Sequence, residues 1–302
     1  MNFVFSDEQR LFQRTVRDFL EKECTPEYVR AAPRDVATGP SALWKGLADL
    51  GVVGLTVPEE FGGLGKDETD LVLLLEEAGR AAVPEPIVET TAIVVPLLAE
   101  MAFLDPVPEW LRRIAAGSSI VTYERSPDGS FRYASAGPEG SESFHIAGVE
   151  ARLGDASDPA LERGAFGAAA YLCGVADRVI ELAASYAKER HQFGKPIGSF
   201  QAVKHLLADA LLGLEFARPA VYRAAWSIAR DASDRSRDVS MAKALASDAA
   251  VNACRSALQV HGAVGYTHEH DLHLWLNRGF ALAHAWGTAA WHRDRVARAV
   301  LG

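Results

Sequence analysis

Arg190-His-Gln-Phe-Gly-Lys-Pro-Ile-Gly-Ser-Phe-Gln-Ala-Val-Lys-His-Leu-Leu-Ala-Asp209 decides how this chain is read. It follows a long helical stretch and reads as a helix that stops, turns and restarts. Gly194 suits a left-handed helix end with Pro196 just beyond it. Ser199 suits an N-cap ahead of a new apolar rhythm at Phe200, Val203, Leu206 and Leu207. The turn gathers Arg190, Gln192, Phe193, Phe200 and Gln201: one cation, two amides and two aromatic faces. Such a set fits a pyrophosphate beside an aromatic ring. Taken alone, the residues fit an ordinary helical hairpin with core phenylalanines better.

Upstream and downstream of this elbow the chain divides into three zones. Residues 1–117 read as a helical N-terminal domain. Ser6-Asp-Glu-Gln9 is a capping box, and Leu11, Phe12, Val16, Phe19 and Leu20 are expected to face inward. Leu43, Leu47 and Leu50 mark a further helix stopped by Gly51, and Asp67–Ala82 and Pro86–Phe103 read as two more. Between them Leu55-Thr-Val-Pro-Glu-Glu-Phe-Gly-Gly-Leu-Gly65 is an irregular loop without the features of a phosphate loop. Residues 118–157 form a short β segment, with strands expected at Ile120–Tyr123, Phe131–Tyr133 and Phe144–Ile146. Residues 158–302 read as a C-terminal helical bundle. It opens with a helix of about 45 Å at 1.5 Å per residue that is rich in glycine and alanine from Gly164 to Gly174, and further helices are expected at Phe200–Asp231, Arg237–Val260 and Trp286–Leu301. The fold class is therefore mainly α.

Composition narrows the function classes. The chain has 302 residues, 49% of them hydrophobic, with 31 Lys+Arg against 40 Asp+Glu and a formal net charge of −9. That balance disfavours nucleic acid and anionic membrane surfaces. Cys24, Cys173 and Cys254 lack zinc spacing and read as reduced, buried thiols. The start of the chain lacks a signal-peptide plan, and no apolar run is long enough to span a bilayer, so a cytoplasmic location is expected. His268, His270 and His273 cluster with Glu269 and Asp271, but the spacing is loose, and a polar loop is expected there rather than a metal site. Trp226, Trp275 and Trp291 read as core or interface aromatics.

Five motifs, in order and at fitting intervals, resemble the acyl-CoA dehydrogenase family. They are Phe5–Gln9, Leu55–Gly65, Tyr186–Ile197 with Phe200-Gln201 and Leu207–Asp209, Gln259-Val-His-Gly-Ala-Val-Gly-Tyr266, and Arg278 beyond it. The resemblance covers most of the chain. It implies a helical N-lobe, a middle β domain, a C-terminal four-helix bundle and FAD as cofactor. It implies the Cα–Cβ dehydrogenation of an acyl-CoA thioester, in which a glutamate removes the α-proton and hydride passes from Cβ to the flavin N5. Carried over by motif, Arg190, Gln192, Phe193, Phe200 and Gln201 would meet the ADP half of a neighbouring subunit's FAD, with Gln259, Gly262 and Ala263 at the same end. Ala263 replaces the second of two glycines usual in that motif.

Two departures bear on the reaction. In His284-Ala-Trp-Gly-Thr288, Trp286 stands in the usual glutamate position, and an indole N–H only donates. The family's alternative place for that glutamate, on the first bundle helix, falls near Gly164; Glu162 and His284 are the nearby substitutes. The β segment is also too short to close a barrel. Both departures remove the reactive half of the site and leave the ADP half. The chain thus resembles the base-less, β-like subunit of heteromeric acyl-CoA dehydrogenases of the steroid-degrading type, with a catalytic partner in an α2β2 assembly. The alternatives are a self-sufficient dehydrogenase with a relocated base such as Glu162, and a non-enzymatic scaffold of the same fold. Which acyl-CoA is used is not encoded in any residue identified.

Overall fold

The computed structural model describes residues 4–32, 39–125, 131–137, 140–144 and 159–302. The first helix, α1 (Asp7–Glu23), starts at the expected capping box: Gln9 N–H donates to Ser6 Oγ at 3.2 Å and Ser6 N–H to Gln9 Oε1 at 2.9 Å. Val16 and Leu20 are buried and Phe12 and Phe19 half-buried, but Leu11 is exposed. The apolar stripe runs through 12, 16, 19 and 20, and Leu11 falls outside that arc. A short α2 (Pro26–Ala31) precedes α3 (Ala42–Asp49), which buries Leu43, Trp44 and Leu47. Asp67 caps α4 (Glu68–Arg80) by accepting from Thr69 N–H at 2.8 Å. The helix expected over Pro86–Phe103 is instead a π-helical turn, Glu89–Val94, running into α5 (Val95–Glu100). Pro96 has no N–H to bond back one turn, and the ladder widens ahead of it. A separate α6 (Val107–Ala115) completes the lobe.

The β segment is one antiparallel sheet in the order β1 (Ile120–Arg125), β2 (Phe131–Gly137), β3 (Gly140–Phe144). The register pairs Ile120 with Ala136 and Gly137 with Gly140. The third strand therefore ends at Phe144 instead of beginning there; His145 and Ile146 lie outside the described residues.

The C-terminal bundle consists of α7 (Pro159–Glu189), α8 (Gln201–Ala229), α9 (Arg235–His261) and α11 (Ala289–Leu301), with α10 (Leu272–His284) packed against α7 and α9. The small residues of α7 serve close approach. A Cβ built on Gly174 would overlap the Glu76 carbonyl and stand 2.7 Å from Arg80 N, and one on Gly79 would overlap the Tyr171 carbonyl. Thus α4 and α7 cross backbone to backbone, and this contact joins the N-lobe to the bundle. Ion pairs reinforce the joint: Arg80 pairs with Asp177, and Arg218 with Asp177 at 3.1 Å. The buried Glu76 lies 3.5 Å from Arg218, and burial pushes its carboxyl up to about 7.

Between α7 and α8 the expected bend is a tight β-hairpin, β4 (His191–Gln192) with β5 (Lys195–Pro196). Its turn residues Phe193 and Gly194 have φ of 52° and 78°. Gly194 therefore serves a two-residue hairpin and not a helix end, since left-handed pairs match the twist of paired strands. Ser199 is not the cap of α8: its hydroxyl donates to Pro196 O at 2.7 Å, and Phe200 takes the N-cap position without a side-chain bond.

Candidate functional site

The residues expected at a nucleotide gather at one end of the bundle. The C-termini of α7 and α9 and the start of α8 lie there; Tyr186 stacks on His261 with centroids 4.5 Å apart, and His270 meets His261 edge-on at 4.5 Å. His261 Nδ1–H donates to Ala257 O at 2.7 Å, and burial lowers the pKa of its imidazole. Around this stack Arg190, Gln192, Gln201, Gln259 and Ala263 are exposed, with Gly262 half-exposed at φ 63° and nothing near its missing side chain. Phe193 is 91% exposed, which excludes it from the core. Its ring meets Phe200 edge-on at 6.1 Å, and Lys195 Nζ covers Phe200 at 4.5 Å. The Arg190 guanidinium bonds to no described residue of its own chain. Gln201 Nε2 donates to His205 Nε2 at 2.9 Å. Unspent forked donors beside open amides suit a diphosphate, and an open aromatic face suits a purine. The chemistry of the set is that of a nucleoside-diphosphate site open to solvent.

The positions associated with a catalytic base lie at the other end, about 40 Å along α7 at 1.5 Å per residue. There the structure brings Trp286 and Gly164 together: a Cβ on Gly164 would stand 2.6 Å from Trp286 Cε3 and 2.7 Å from Cε2. Trp286 has φ 59° and is followed by Gly287 at 96°. Glu162 is buried with both oxygens committed: Oε2 accepts from Arg235 Nε at 2.7 Å, Oε1 accepts from the Ser236 hydroxyl, and Arg295 lies 3.7 Å away. His284 is exposed and ties its Nδ1–H back to Phe280 O at 2.8 Å, one helical turn earlier.

Two groups under the Trp286 turn were missed in the sequence. Lys243 is fully buried, with Nζ donating to Ser247 Oγ at 2.9 Å, Ala283 O at 3.2 Å and Gly287 O at 3.1 Å. It has no carboxylate partner among the described residues, and burial brings its pKa down to about 8. His292 is also fully buried; its Nε2–H donates to Trp286 O at 2.8 Å, and burial lowers its pKa to about 4. One signal for Lys243 was present: it shares the helical stripe of Val239, Ala246 and Ala250, all core residues.

The remaining candidates have local roles. His270 Nδ1 accepts from Leu272 N–H at 3.1 Å, and His273 Nδ1–H donates to His270 O at 2.9 Å. Trp275 is buried and donates to Arg80 O at 2.8 Å, Trp226 is half-buried under Arg223, and Trp291 is partly exposed. Arg278 donates to Val83 O at 3.1 Å and lies over the Tyr171 ring. Burial pushes the thiols of Cys24 and Cys254 up to about 12. Among the described residues no helix is long and apolar enough to cross a membrane.

Comparison with known proteins agrees with this architecture. Residues 6–118 match the family profile "Acyl-CoA dehydrogenase, N-terminal domain" and residues 156–301 match "Acyl-CoA dehydrogenase, C-terminal domain". The acyl-CoA dehydrogenase IpdE2 of Mycolicibacterium smegmatis is 33% identical, over 93% of this chain and 95% of its own. Among solved structures, the fold is similar to the ChsE4-ChsE5 complex from Mycobacterium tuberculosis (TM-score 0.79, 22% identity, covering 100% of this chain and 99% of that one). It is also similar to the Tcur3481-Tcur3483 steroid ACAD G363A variant (TM-score 0.77, 23% identity, 98% of each). The FAD complex of PigA has the same fold (TM-score 0.76, 20% identity, 99% of each). The chain belongs to the acyl-CoA dehydrogenase family, whose members are FAD-dependent oxidoreductases.

Proposed function

We propose that this chain is the base-less subunit of a heteromeric acyl-CoA dehydrogenase, completing the FAD site of a partner chain that carries the glutamate. The observation behind this reading is the contrast between the two ends of α7. At the Arg190 end, a cation with no bond to a described residue of its own chain, exposed amides and the Phe193 ring face outward. At the Gly164 end, an indole fills the ground where a base is needed. FAD, when bound, accepts the hydride. This chain's part is to hold the ADP half through Arg190, Gln192 and the hairpin, with Gln201, Gln259 and the Gly262–Ala263 backbone beside them.

An α2β2 assembly acting on an acyl-CoA with a steroid or fatty side chain is the specific form proposed. The likeness to the steroid ACAD and ChsE4-ChsE5 structures motivates it. A cytoplasmic setting belongs to the same proposal. A relocated base at Glu162 is disfavoured because Arg235, Ser236 and Arg295 already hold that carboxylate. A mere scaffold has no use for an exposed, unpaired Arg190. Co-expression with a full-length acyl-CoA dehydrogenase partner tests the reading: flavin should co-purify with the pair, and the chain alone should not turn over.

A further inference from the structure

The turn that carries Trp286 is built in a costly way. A bulky residue at positive φ is strained by about 1–2 kcal/mol, and it persists only where its surroundings hold it. Here they hold it from two sides. Lys243, from α9, has three N–H groups and three acceptors, Ser247 Oγ, Ala283 O and Gly287 O. Ala283 O belongs to the open carbonyl end of α10, where a cation is favoured. His292, from α11, donates to Trp286 O; a carbonyl only accepts, so Nε2 carries the proton. A Cβ on Gly287 would stand 2.8 Å from His292 Nε2, so only glycine lets the imidazole approach that closely. Thr288 caps α11 by accepting from Trp291 N–H at 3.2 Å. Neither buried group touches the Arg190 end.

We propose that Lys243 and His292 are positioning residues that bolt the Trp286 turn so that its indole stays seated on Gly164. The space beside Gly164 is then filled by a held side chain. This deepens the reading of a base-less subunit, but it concerns where the ring sits and not who supplies the base.

The test uses the full chain labelled with 5-fluorotryptophan, with the Trp286 fluorine resonance assigned by its loss in Trp286→Phe. Lys243→Met keeps the length of the side chain and removes the donors. It should shift and broaden the Trp286 resonance while those of Trp44, Trp110 and Trp275 stay put. His292→Asn withdraws the donor and should move the same resonance. His292→Gln returns an N–H to the Nε2 position and should restore it, a rescue that general loss of packing does not produce. If Lys243→Met does not fold, the Asn/Gln pair decides alone. An unmoved Trp286 signal in folded Lys243→Met or His292→Asn, or equal shifts in His292→Asn and His292→Gln, would overturn the proposal. Turnover by the isolated wild-type chain would count against the base-less reading without touching this one.

Discussion

The indole of Trp286 lies where any side chain on Gly164 would have to go. The two residues are 122 positions apart in sequence, and under the proposed reading they lie at or near the two places where the resemblance puts a glutamate. The ring needs the absence of a side chain at 164, so the two positions are coupled and a change at 164 is felt at 286.

That pairing predicts a change of sign. Alanine in a helix interior is favoured over glycine by about 1 kcal/mol, but overpacking a filled site costs about 1–3 kcal/mol. Gly164→Ala should therefore destabilise the wild-type chain, by about 1–2 kcal/mol in urea unfolding. In a Trp286→Ala background it should stabilise by up to about 1 kcal/mol. Equal effects in both backgrounds would mean that the ring does not rest on Gly164.

At the lobe junction no such relief is available. A Cβ on Gly174 meets the backbone of Glu76 and Arg80, which no side-chain rotamer can move. Gly174→Ala should cost more than about 3 kcal/mol, seen as loss of soluble protein or a large fall in Tm. Truncating neighbouring side chains should not rescue it.

The Arg190 end should behave in the opposite way. An exposed side chain with no partner contributes little to the fold, so Arg190→Ala should leave stability within about 0.5 kcal/mol of wild type. In the complex with a partner chain it removes charge-assisted bonds worth about 1.5–3 kcal/mol. FAD should then bind about tenfold to a hundredfold more weakly, as measured by flavin retention on dilution. Phe193→Ala should weaken retention less.

His292 gives a pH signature. Its ordinary value is 6.5 and burial brings it down to about 4. The unfolded chain therefore takes up a proton on this ring before the folded chain does. Stability is fully present above pH 6.5 and drains away as pH falls from 6.5 towards 4, by at most about 3 kcal/mol. His292→Gln lacks the titrating ring, so the stability difference between wild type and this variant should shrink or reverse over that window. A difference independent of pH would show that the ring is not held neutral.

Local signals carried much of the fold. Ser6 with Gln9, Asp67 before α4 and Gly51 after α3 each act on their own backbone, and such cues are complete within a few residues. Helix α10 escaped because its polar, histidine-rich approach hid the stripe of Leu272, Trp275, Leu276 and Leu282. The hairpin escaped because Phe193 gives no hint that it adopts a left-handed backbone. The Arg190 end was legible as motif, whereas its outward exposure depends on packing that no local pattern specifies. The contact of Gly79 with Tyr171 and the burial of Lys243 likewise arise only when distant segments meet. A lysine in a helix ordinarily reads as solvent-facing.

In the proposed assembly this chain holds the ADP half of a flavin whose reactive end belongs to another chain. The most direct measurement is the flavin stoichiometry and acyl-CoA-dependent flavin reduction of the chain purified alone and with its partner. The expected result is a colourless, inactive chain alone, and one FAD per pair of chains when co-expressed, held more weakly in Arg190→Ala. A yellow homo-oligomer of this chain, reduced by an acyl-CoA and silenced by Glu162→Gln, would contradict it.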